Sequence, residues 1–431
     1  MKISKYTKLI NDKDRYFVYN SLSNYLGQIE EELYALLVQK QKENNHLSND
    51  ELDTESRVLL MNKNIITENN DDDILKYVAA IKGRRSIVNS LSLTIAPTMD
   101  CNFSCPYCFE TKEKGKMDDT TIQNIIEFIK KQSHLNSVHI TWFGGEPLLC
   151  PDVIEKISDG LAAACTTSIS AKVITNGYFL NEKTITLLEK SKVNAIQLTI
   201  DGMPETHNKV KFTKTDKDTF RTIVNNIDVF AKLNPSITLA VRVNIDKNNL
   251  KEFYKLHDFF ADRYKGNKNI FLVPAFITAT TKNTCKDSCL ISNAEKFSVY
   301  KDFFHIMNNV NLIYPNNSIH ECAVRNPTTW AIAPNGDLYK CWEIIGNHKY
   351  KIGELTKEGI KITDHKQNNR YLYGADPFEE ESCKECFSFP ICNGGCPHKR
   401  IENKFNNQDF DLCTHFKESI DDYLLLRLGA K

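Results

Sequence analysis

Between residues 91 and 277 the chain alternates short apolar runs with longer amphipathic stretches. The stretches over 119–131 and 219–233 carry large apolar residues at helical spacing, so that one face of each is apolar. Six runs have the length and apolar character of single strands: Leu91–Ala96, Val138–Phe143, Ala171–Thr175, Ala195–Ile200, Ile237–Ile245 and Ile270–Ile277. Strands that alternate with helices in this way predict an α/β fold on a parallel sheet with right-handed crossovers.

The first 90 residues have a different pattern, which predicts a small α+β domain. Ser48 and Glu51 have the spacing of a capping box and are expected to open a helix, and residues 69–73 are expected to be a polar break. The predicted elements are strands at Tyr16–Tyr19 and Tyr25–Ile29, a helix at Glu30–Gln39 and a second helix that ends at about Met61. The last third of the chain is rich in cysteine and turn residues. We therefore expect three domains, at residues 1–90, 91–310 and 311–431.

Composition narrows the class of protein. The chain has 431 residues, with 55 basic and 55 acidic side chains, and this balance argues against a nucleic-acid partner. The first residues lack the apolar segment of a secretory signal, and no apolar run approaches the ~20 residues of a membrane span. A cytoplasmic protein without a membrane partner is expected. Because that compartment keeps thiols reduced, clustered cysteines among the 14 indicate metal ligands.

Cys101, Cys105 and Cys108 follow the first strand of the predicted sheet with the spacing C-x3-C-x2-C. Three thiolates can hold three irons of a 4Fe-4S cluster and leave the fourth open to a small molecule, whereas ferredoxin and zinc patterns use four ligands. A zinc knuckle is the alternative interpretation. The string, with Tyr107 before its last cysteine, resembles the signature of the radical S-adenosylmethionine (radical SAM) enzymes. The resemblance implies that these cysteines hold the catalytic cluster, that SAM binds the open iron, and that the sheet forms a partial (β/α)6 TIM-like barrel.

Small and polar residues follow the other predicted strands, where parallel sheets bind ligands. Gly144-Gly145-Glu146-Pro147 after the second strand resembles the GGEP motif that binds the SAM amino group in this family. The glycines are expected to let the backbone approach the ligand. The SAM contacts implied by the resemblance are Tyr107, Gly144, Gly145, Glu146, Pro147, Asn176, Thr199, Asp201 and Arg242. His207, beyond the fourth strand, is interpreted as a surface histidine.

The last third of the chain holds a second set of cysteines, namely Cys322, Cys341, Cys383, Cys386, Cys392, Cys396 and Cys413. This set resembles the seven-cysteine SPASM domain of radical SAM peptide-modifying enzymes. A pair of zinc ribbons is the alternative, although zinc sites prefer closed groups of four ligands. The resemblance implies two auxiliary 4Fe-4S clusters, an outer one held by Cys383, Cys386, Cys392 and Cys413 and an inner one held by Cys322, Cys341 and Cys396. Some members supply another inner ligand where this chain has Thr328. The inner cluster then has either an open iron or a ligand from a distant residue, for which Cys285 and Cys289 are candidates. Cys150 and Cys165 are interpreted as small buried hydrophobes.

The resemblance implies a maturase of a ribosomally made precursor peptide that carries a leader. The enzyme would use SAM, three 4Fe-4S clusters and an external flavodoxin- or ferredoxin-like electron donor. Its N-terminal domain would bind the leader as an added strand, with a purely structural cap as the alternative. A thioether or carbon–carbon cross-link is favoured over formylglycine-type oxidation, because the sulfatase-maturing relatives have aspartate where this chain has Trp342. Epimerisation of a single residue and a non-catalytic electron carrier are two further possibilities.

Overall fold

The computed structural model describes residues 1–43, 45–132, 134–164, 167–280, 289–317 and 321–429. The strands are β1 Lys2–Ile3, β2 Thr7–Asp12, β3 Arg15–Asn20, β4 Tyr25–Ile29, β5 Ile66–Thr67, β6 Ser90–Ile95, β7 Ser137–Trp142, β8 Ser168–Thr175, β9 Val193–Thr199, β10 Thr238–Ile245, β11 Ile270–Phe276, β12 Thr329–Ile332, β13 Asp337–Tyr339, β14 Gly353–Thr356 and β15 Gly359–Ile362. The helices are α1 Glu31–Glu43, α2 Thr54–Asn62, α3 Asn70–Arg85, α4 Asp119–Lys130, α5 Pro151–Ala164, α6 Glu182–Lys190, α7 Pro204–Val210, α8 Thr219–Leu233, α9 Leu250–Arg263, α10 Asn293–Met307, α11 His365–Asn369, α12 Glu381–Lys384, α13 Phe389–Cys392, α14 Pro397–Asn406 and α15 Phe416–Gly429.

The described residues form two compact units, each made of separate chain segments. The first unit combines Met1–Ser86, Ser292–Arg325 and Tyr373–Lys431, and the second combines Ile87–Ile291 with Asn326–Leu372. In the described part of the chain, no helix has both the length and the apolar character needed to cross a membrane. The division into three domains at residues 90 and 310 stays a prediction, because compact packing does not show which segments fold alone.

The second unit is built on one sheet with the strand order β11-β10-β9-β8-β7-β6-β12-β13-β14-β15. Strands β6 to β11 are parallel and follow one another in chain order, with at least one helix in each crossover. This confirms the predicted α/β fold and its (β/α)6 arrangement. Strand β12 adds a further parallel strand beside β6, with Thr329 opposite Ser92, and β13 to β15 continue in antiparallel register.

Strand β10 illustrates the apolar and the polar side of the parallel sheet. On β10, Leu239, Val241 and Val243 are buried and alternate with partly exposed Arg242 and Asn244. Because successive side chains in a strand point to opposite faces, the buried set meets the helices and the polar set faces away from them. Burying each Leu, Ile or Val in this layer contributes roughly 1.5–3 kcal/mol. The polar face is therefore available for a site.

In the first unit, the N-terminal segment shares hydrophobic cores with the cysteine-rich segment. Strands β2, β3 and β4 form an antiparallel sheet. Tyr19 of β3 is fully buried with Ile420 and Leu424 of α15, and Tyr77 of α3 is buried with Phe389. Deleting the N-terminal segment would expose both cores, so a truncated chain is expected to be destabilised.

Two N-terminal expectations are wrong. The backbone N–H of Ser48 donates to Glu51 Oε2 at 2.8 Å, but the helix begins only at Thr54, where the Asp53 side chain caps it. The predicted polar break at 69–73 is the first turn of α3, which begins at Asn70. Acidic residues favour a helix N-terminus because they complement the positive end of the helix dipole.

Candidate active site

A cavity of about 420 Å³ lies at the carboxyl ends of the parallel strands in the second unit. It is lined by nine of the predicted site residues: Cys101, Cys105, Tyr107, Cys108, Gly144, Gly145, Asn176, Thr199 and Arg242. The loops after β6, β7 and β8 thus meet residues of β9 and β10 at one place, as expected for the open end of a parallel sheet. Glu146, Pro147 and Asp201 do not line this cavity.

The cysteine loop is held by its own backbone and by a buried aromatic ring. Cys101 N donates to Asp100 Oδ1 at 2.9 Å, and Cys108 N donates to Cys105 O at 3.2 Å. Phe103 is buried, and its N–H donates to Cys101 Sγ at 3.5 Å. The loop therefore presents its sulfurs to the cavity with little freedom to move.

The three thiols of this loop suit an iron–sulfur cluster. Burial raises the pKa of Cys101, Cys105 and Cys108, and the Cys105 thiol adds to the rise at the other two. A bound metal reverses this effect because it deprotonates a coordinating thiol. In the described residues, no three or more His, Cys, Asp or Glu side chains converge on a single-ion site. A cluster is larger than an ion and needs its sulfurs further apart.

Gly144 and Gly145 let the second loop lie directly against the cysteine loop. Gly145 N donates to Thr98 O at 3.1 Å. A Cβ on Gly145 would stand 2.1 Å from Asp100 O, and one on Gly144 would stand 2.3 Å from Thr98 O. Gly144 also has a φ of +109°, which side chains other than glycine rarely adopt. The close approach that the glycines permit here is between two loops of the chain.

Glu146 ties three loops together. Its side chain is fully buried, and its carboxylate accepts hydrogen bonds from Leu148 N at 2.9 Å, Thr175 Oγ1 at 2.7 Å and Asn176 N at 2.7 Å. Burial raises the pKa of Glu146, while these hydrogen bonds oppose the rise. Asn176 in turn donates from Nδ2 to Asn102 Oδ1 at 2.8 Å, within the cysteine loop. The contact from Glu146 to a ligand ammonium stays a prediction.

Asp201 lies just behind the cavity wall. It is 2% exposed, it accepts a hydrogen bond from the Tyr107 hydroxyl, and Lys211 Nζ is 3.7 Å from its Oδ2. Its backbone N–H donates to His207 Nδ1 at 3.3 Å. The expectation that His207 is a surface residue is wrong, because the side chain is fully buried. The acidic residue positions Tyr107 and Lys211, both of which line the cavity.

The burial of His207 predicts acid sensitivity. Burial, assisted by nearby Lys211, lowers the pKa of His207 to about 3 from an ordinary value of 6.5. Below pH 6.5 the unfolded chain binds a proton that the folded chain does not, so stability is lost as the pH falls toward 3. The free energy of unfolding of the unaltered chain should fall by about 1.4 kcal/mol per pH unit below 6.5 because of His207, which is about 2 kcal/mol at pH 5. His207→Gln should lack this part of the loss between pH 7 and pH 5. Urea unfolding at both pH values measures it.

The matched control is His139→Gln, because His139 is exposed and its replacement should leave the acid-induced loss unchanged. An equal loss in His207→Gln and in the unaltered chain would contradict the assignment.

Several cavity residues were not expected from the sequence. Lys172 on β8 and Gln197 on β9 line the cavity. Both alternate with buried apolar neighbours along their strands, and this pattern could have predicted that they face the cavity. Glu110 also lines it; burial, followed by the nearby Glu146 carboxylate, raises the pKa of Glu110 to about 8. Trp342 lies in the cavity wall, 43% exposed, and its ring stacks on Phe143 at 5.8 Å between centroids.

The first unit contains four neighbouring thiols, the cysteine quartet: Cys383, Cys386, Cys392 and Cys413. The pKa of Cys392 is raised to about 11, mainly by burial and further by the other three thiols. Cys392 Sγ also accepts a hydrogen bond from Gly394 N at 3.3 Å. Mutually interacting thiols with a backbone donor aimed at one sulfur fit the donor set of a 4Fe-4S cluster.

The other predicted cysteines do not form a second group comparable to the quartet among the described residues. Burial raises the pKa of Cys322, and nearby Cys396 raises it further, whereas Cys341 belongs to the second unit. Thr328 donates its hydroxyl to Ser90 O at 2.7 Å. Cys150 is buried as expected. The remaining predicted positions, Cys165 and Cys285, lie outside the described residues, and the carbonyl of Cys289 accepts a hydrogen bond from Lys247 N at 3.0 Å.

Residues 95–260 match the model of the family described as the Radical SAM superfamily. The chain therefore contains a radical SAM domain, and it is an enzyme; domains of this family use a 4Fe-4S cluster and SAM.

Individual relatives extend the likeness beyond this domain. The cysteine-type anaerobic sulfatase-maturating enzyme of Clostridium novyi (strain NT) is 22% identical over 363 residues, which are 77% of this chain and 94% of that enzyme. The structure of native anSMEcpe with bound AdoMet and Cp18Cys peptide covers 79% of this chain and 97% of its own, with 18% identity and a TM-score of 0.62. Streptococcus suis SuiB bound to precursor peptide SuiA covers 96% and 98%, with 18% identity and a TM-score of 0.51. The two structures establish the fold.

Proposed function

We propose that this radical SAM enzyme modifies a ribosomally made precursor peptide and forms a thioether or carbon–carbon cross-link in it. The observation that carries the proposal is that three cysteines of one loop line a single cavity large enough for a small molecule. When bound, a 4Fe-4S cluster and SAM together supply a 5'-deoxyadenosyl radical that removes a hydrogen atom from the substrate. The relatives named above include enzymes that act on proteins or bind peptides.

The chain's own residues would bind and orient SAM. Arg242 and Lys211 place two cationic groups on the cavity wall, and either can pair with a carboxylate. Arg242 is held by a hydrogen bond from its Nε to Asn244 Oδ1 at 2.9 Å. Of the predicted contacts, those that line the cavity are proposed to touch SAM: Tyr107, Gly144, Gly145, Asn176, Thr199 and Arg242. Glu146, Pro147 and Asp201 do not line it, and Glu146 and Asp201 are proposed to act by holding their neighbours in place.

Trp342 is the proposed contact for the substrate side chain. Its ring is exposed within the cavity wall, and Lys172 Nζ lies 5.7 Å from the ring centroid. An aromatic surface beside a cation can hold a peptide side chain by burial and its carbonyl groups by hydrogen bonds. The leader of the precursor is proposed to add a strand to the β2-β3-β4 sheet, in which β2 and β4 are the edge strands.

Two auxiliary clusters are part of the proposal. The cysteine quartet would hold the outer cluster, and Cys322, Cys341 and Cys396 would hold the inner one. An external donor of the flavodoxin or ferredoxin kind would supply electrons. Of the two hydrogen atoms that a cross-link removes, the 5'-deoxyadenosyl radical would take one. The other would leave as a proton and one electron, which an iron–sulfur cluster is suited to accept.

Formylglycine-type oxidation is the second candidate function. The likeness to the Clostridium novyi sulfatase-maturating enzyme covers 77% of this chain and favours it. Trp342 argues against it, because an indole cannot act as the acid or base that an aspartate at this position could provide.

The test is to reconstitute the full chain without oxygen and add SAM, dithionite and a precursor peptide encoded beside its gene. We expect 5'-deoxyadenosine and a peptide lighter by two hydrogen atoms, with fragmentation blocked between the cross-linked residues in mass spectrometry. The same peptide without its leader is the control and should be modified more slowly. A new aldehyde on a single residue would favour the second candidate. Failure to form 5'-deoxyadenosine would contradict both and favour an electron carrier.

A further inference from the structure

Two cationic side chains contact sulfurs of the cysteine quartet. Arg400 Nη2 donates to Cys383 Sγ at 3.3 Å, and Lys417 Nζ donates to Cys413 Sγ at 3.5 Å. With the N–H of Gly394 on Cys392, three donors point at three of the four sulfurs. Neutral thiols gain little from positive charge at this range, whereas four thiolates around a metal centre carry net negative charge and are stabilised by it.

The structure holds Arg400 firmly in this position. Its side chain is buried on α14, and Nε and Nη2 donate to Gly394 O at 3.0 and 2.8 Å. Nη1 forms an ion pair with Glu380, whose side chain is half exposed. Because arginine stays charged in proteins, a fixed positive charge lies beside the Cys383 sulfur. The carbonyl of Gly394 accepts hydrogen bonds from Arg400, and the N–H of Gly394 donates to Cys392 Sγ. Gly394 therefore positions one of the three donors and is itself another.

We infer that Arg400 and Lys417 raise the reduction potential of a 4Fe-4S cluster held by the cysteine quartet, which makes it an electron acceptor. The inference rests on the proposed function only in assigning a cluster to these cysteines. One electron converts the 2+ core into the 1+ core, so the total charge with four thiolates changes from −2 to −3. Nearby cations and N–H donors stabilise the more negative state and therefore favour reduction.

The two cations should differ in strength. Arg400 is buried and is screened little by solvent, whereas Lys417 is exposed and is screened by water and salt. Replacing Arg400 should therefore change the potential more than replacing Lys417. Lys417 has the advantage that its replacement does not disturb a core.

The experiment is a potentiometric titration of the full chain with dithionite, followed by electron paramagnetic resonance. It uses a Cys101→Ala/Cys105→Ala/Cys108→Ala background, so that the catalytic cluster contributes no signal. The quartet's signal is the one that disappears when Cys392→Ala is added. At a fixed potential, Lys417→Gln should lower the ratio of reduced to oxidised cluster severalfold. Arg400→Gln should lower it about tenfold, which is about 59 mV for a one-electron couple.

Two variants serve as controls. Arg400→Lys keeps the charge and should recover most of the potential that Arg400→Gln loses. Lys404→Gln removes one positive charge from the same helix, but Lys404 Nζ faces the Phe405 ring at 5.6 Å, and no change is expected. A change in Lys404→Gln equal to that in Lys417→Gln would mean that only net charge matters, which would overturn the inference.

Unchanged potentials in both Lys417→Gln and Arg400→Gln, with the Cys392-dependent signal intact, would also overturn it while leaving the proposed function standing. Absence of any Cys392-dependent iron signal would instead refute the cluster assignment and the inference together. Iron content measured on each variant separates a lost cluster from a shifted potential.

Discussion

Replacing Cys101, Cys105 and Cys108 together by alanine is expected to abolish the formation of 5'-deoxyadenosine from SAM and dithionite. These three side chains are the thiols that line the cavity, and an alanine offers no ligand for iron. Activity should fall to the level of the reaction without enzyme, because there is no partial replacement for a missing cluster. Chromatographic measurement of 5'-deoxyadenosine in the anaerobically reconstituted chain gives the result.

The same variant should keep the iron bound elsewhere, because the cysteine quartet belongs to the other compact unit. Iron should fall by about four atoms per chain, the content of one cluster. Cys150→Ala is the matched control: this thiol is buried, does not line the cavity and should leave both iron and activity unchanged. Continued production of 5'-deoxyadenosine by the triple variant would refute the assignment of the site.

Gly145→Ala is expected to weaken SAM binding by about tenfold without removing any side chain that contacts the ligand. The new Cβ would stand 2.1 Å from Asp100 O and 2.6 Å from Met99 O, both backbone atoms that cannot rotate away. The cysteine loop must therefore shift. Overpacking of this kind costs typically 1–3 kcal/mol, and about 1.4 kcal/mol corresponds to tenfold in affinity. Equilibrium dialysis of SAM against the reconstituted chain measures the loss.

The control for this steric argument is Gly83→Ala. Gly83 lies within α3, and a Cβ there would meet no atom within 4 Å. The substitution should leave SAM affinity unchanged and raise stability by up to about 1 kcal/mol, as expected for glycine replaced in a helix. If Gly145→Ala also bound SAM normally, the two loops would not depend on each other for their positions.

The strands of the parallel sheet were predictable within one to three residues, because each has a local apolar run between polar turns. Strand β12 was not, since only four residues, Thr329–Ile332, form it and its partner β6 lies more than 200 positions earlier. His207 shows the same limit for the site. Its neighbours Thr206 and Asn208 are polar and suggested exposure, but the backbone N–H of Asp201 and the Phe220 ring enclose it.

Glu146 shows a different limit. Its motif was recognisable, but the three donors on its carboxylate come from Leu148, Thr175 and Asn176, so that its role as a link between loops depended on the fold. The contacts of Arg400 and Lys417 with the cysteine quartet could not be predicted from the sequence either, because these two basic residues lie on different helices and belong to no motif.

The sequence alone determined the class of chemistry and the alternation of strands with helices in the parallel sheet. Ligand type, cysteine spacing and apolar periodicity are local properties, and they persist in any conformation that the chain adopts. Which polar groups meet was decided by tertiary structure alone. Tyr107 and Asp201 are 94 positions apart, and the cysteine-rich segment shares its cores with the first 86 residues. Such contacts are stabilised by burial and opposed by the entropy cost of closing long loops. Neither quantity can be predicted from a local sequence pattern.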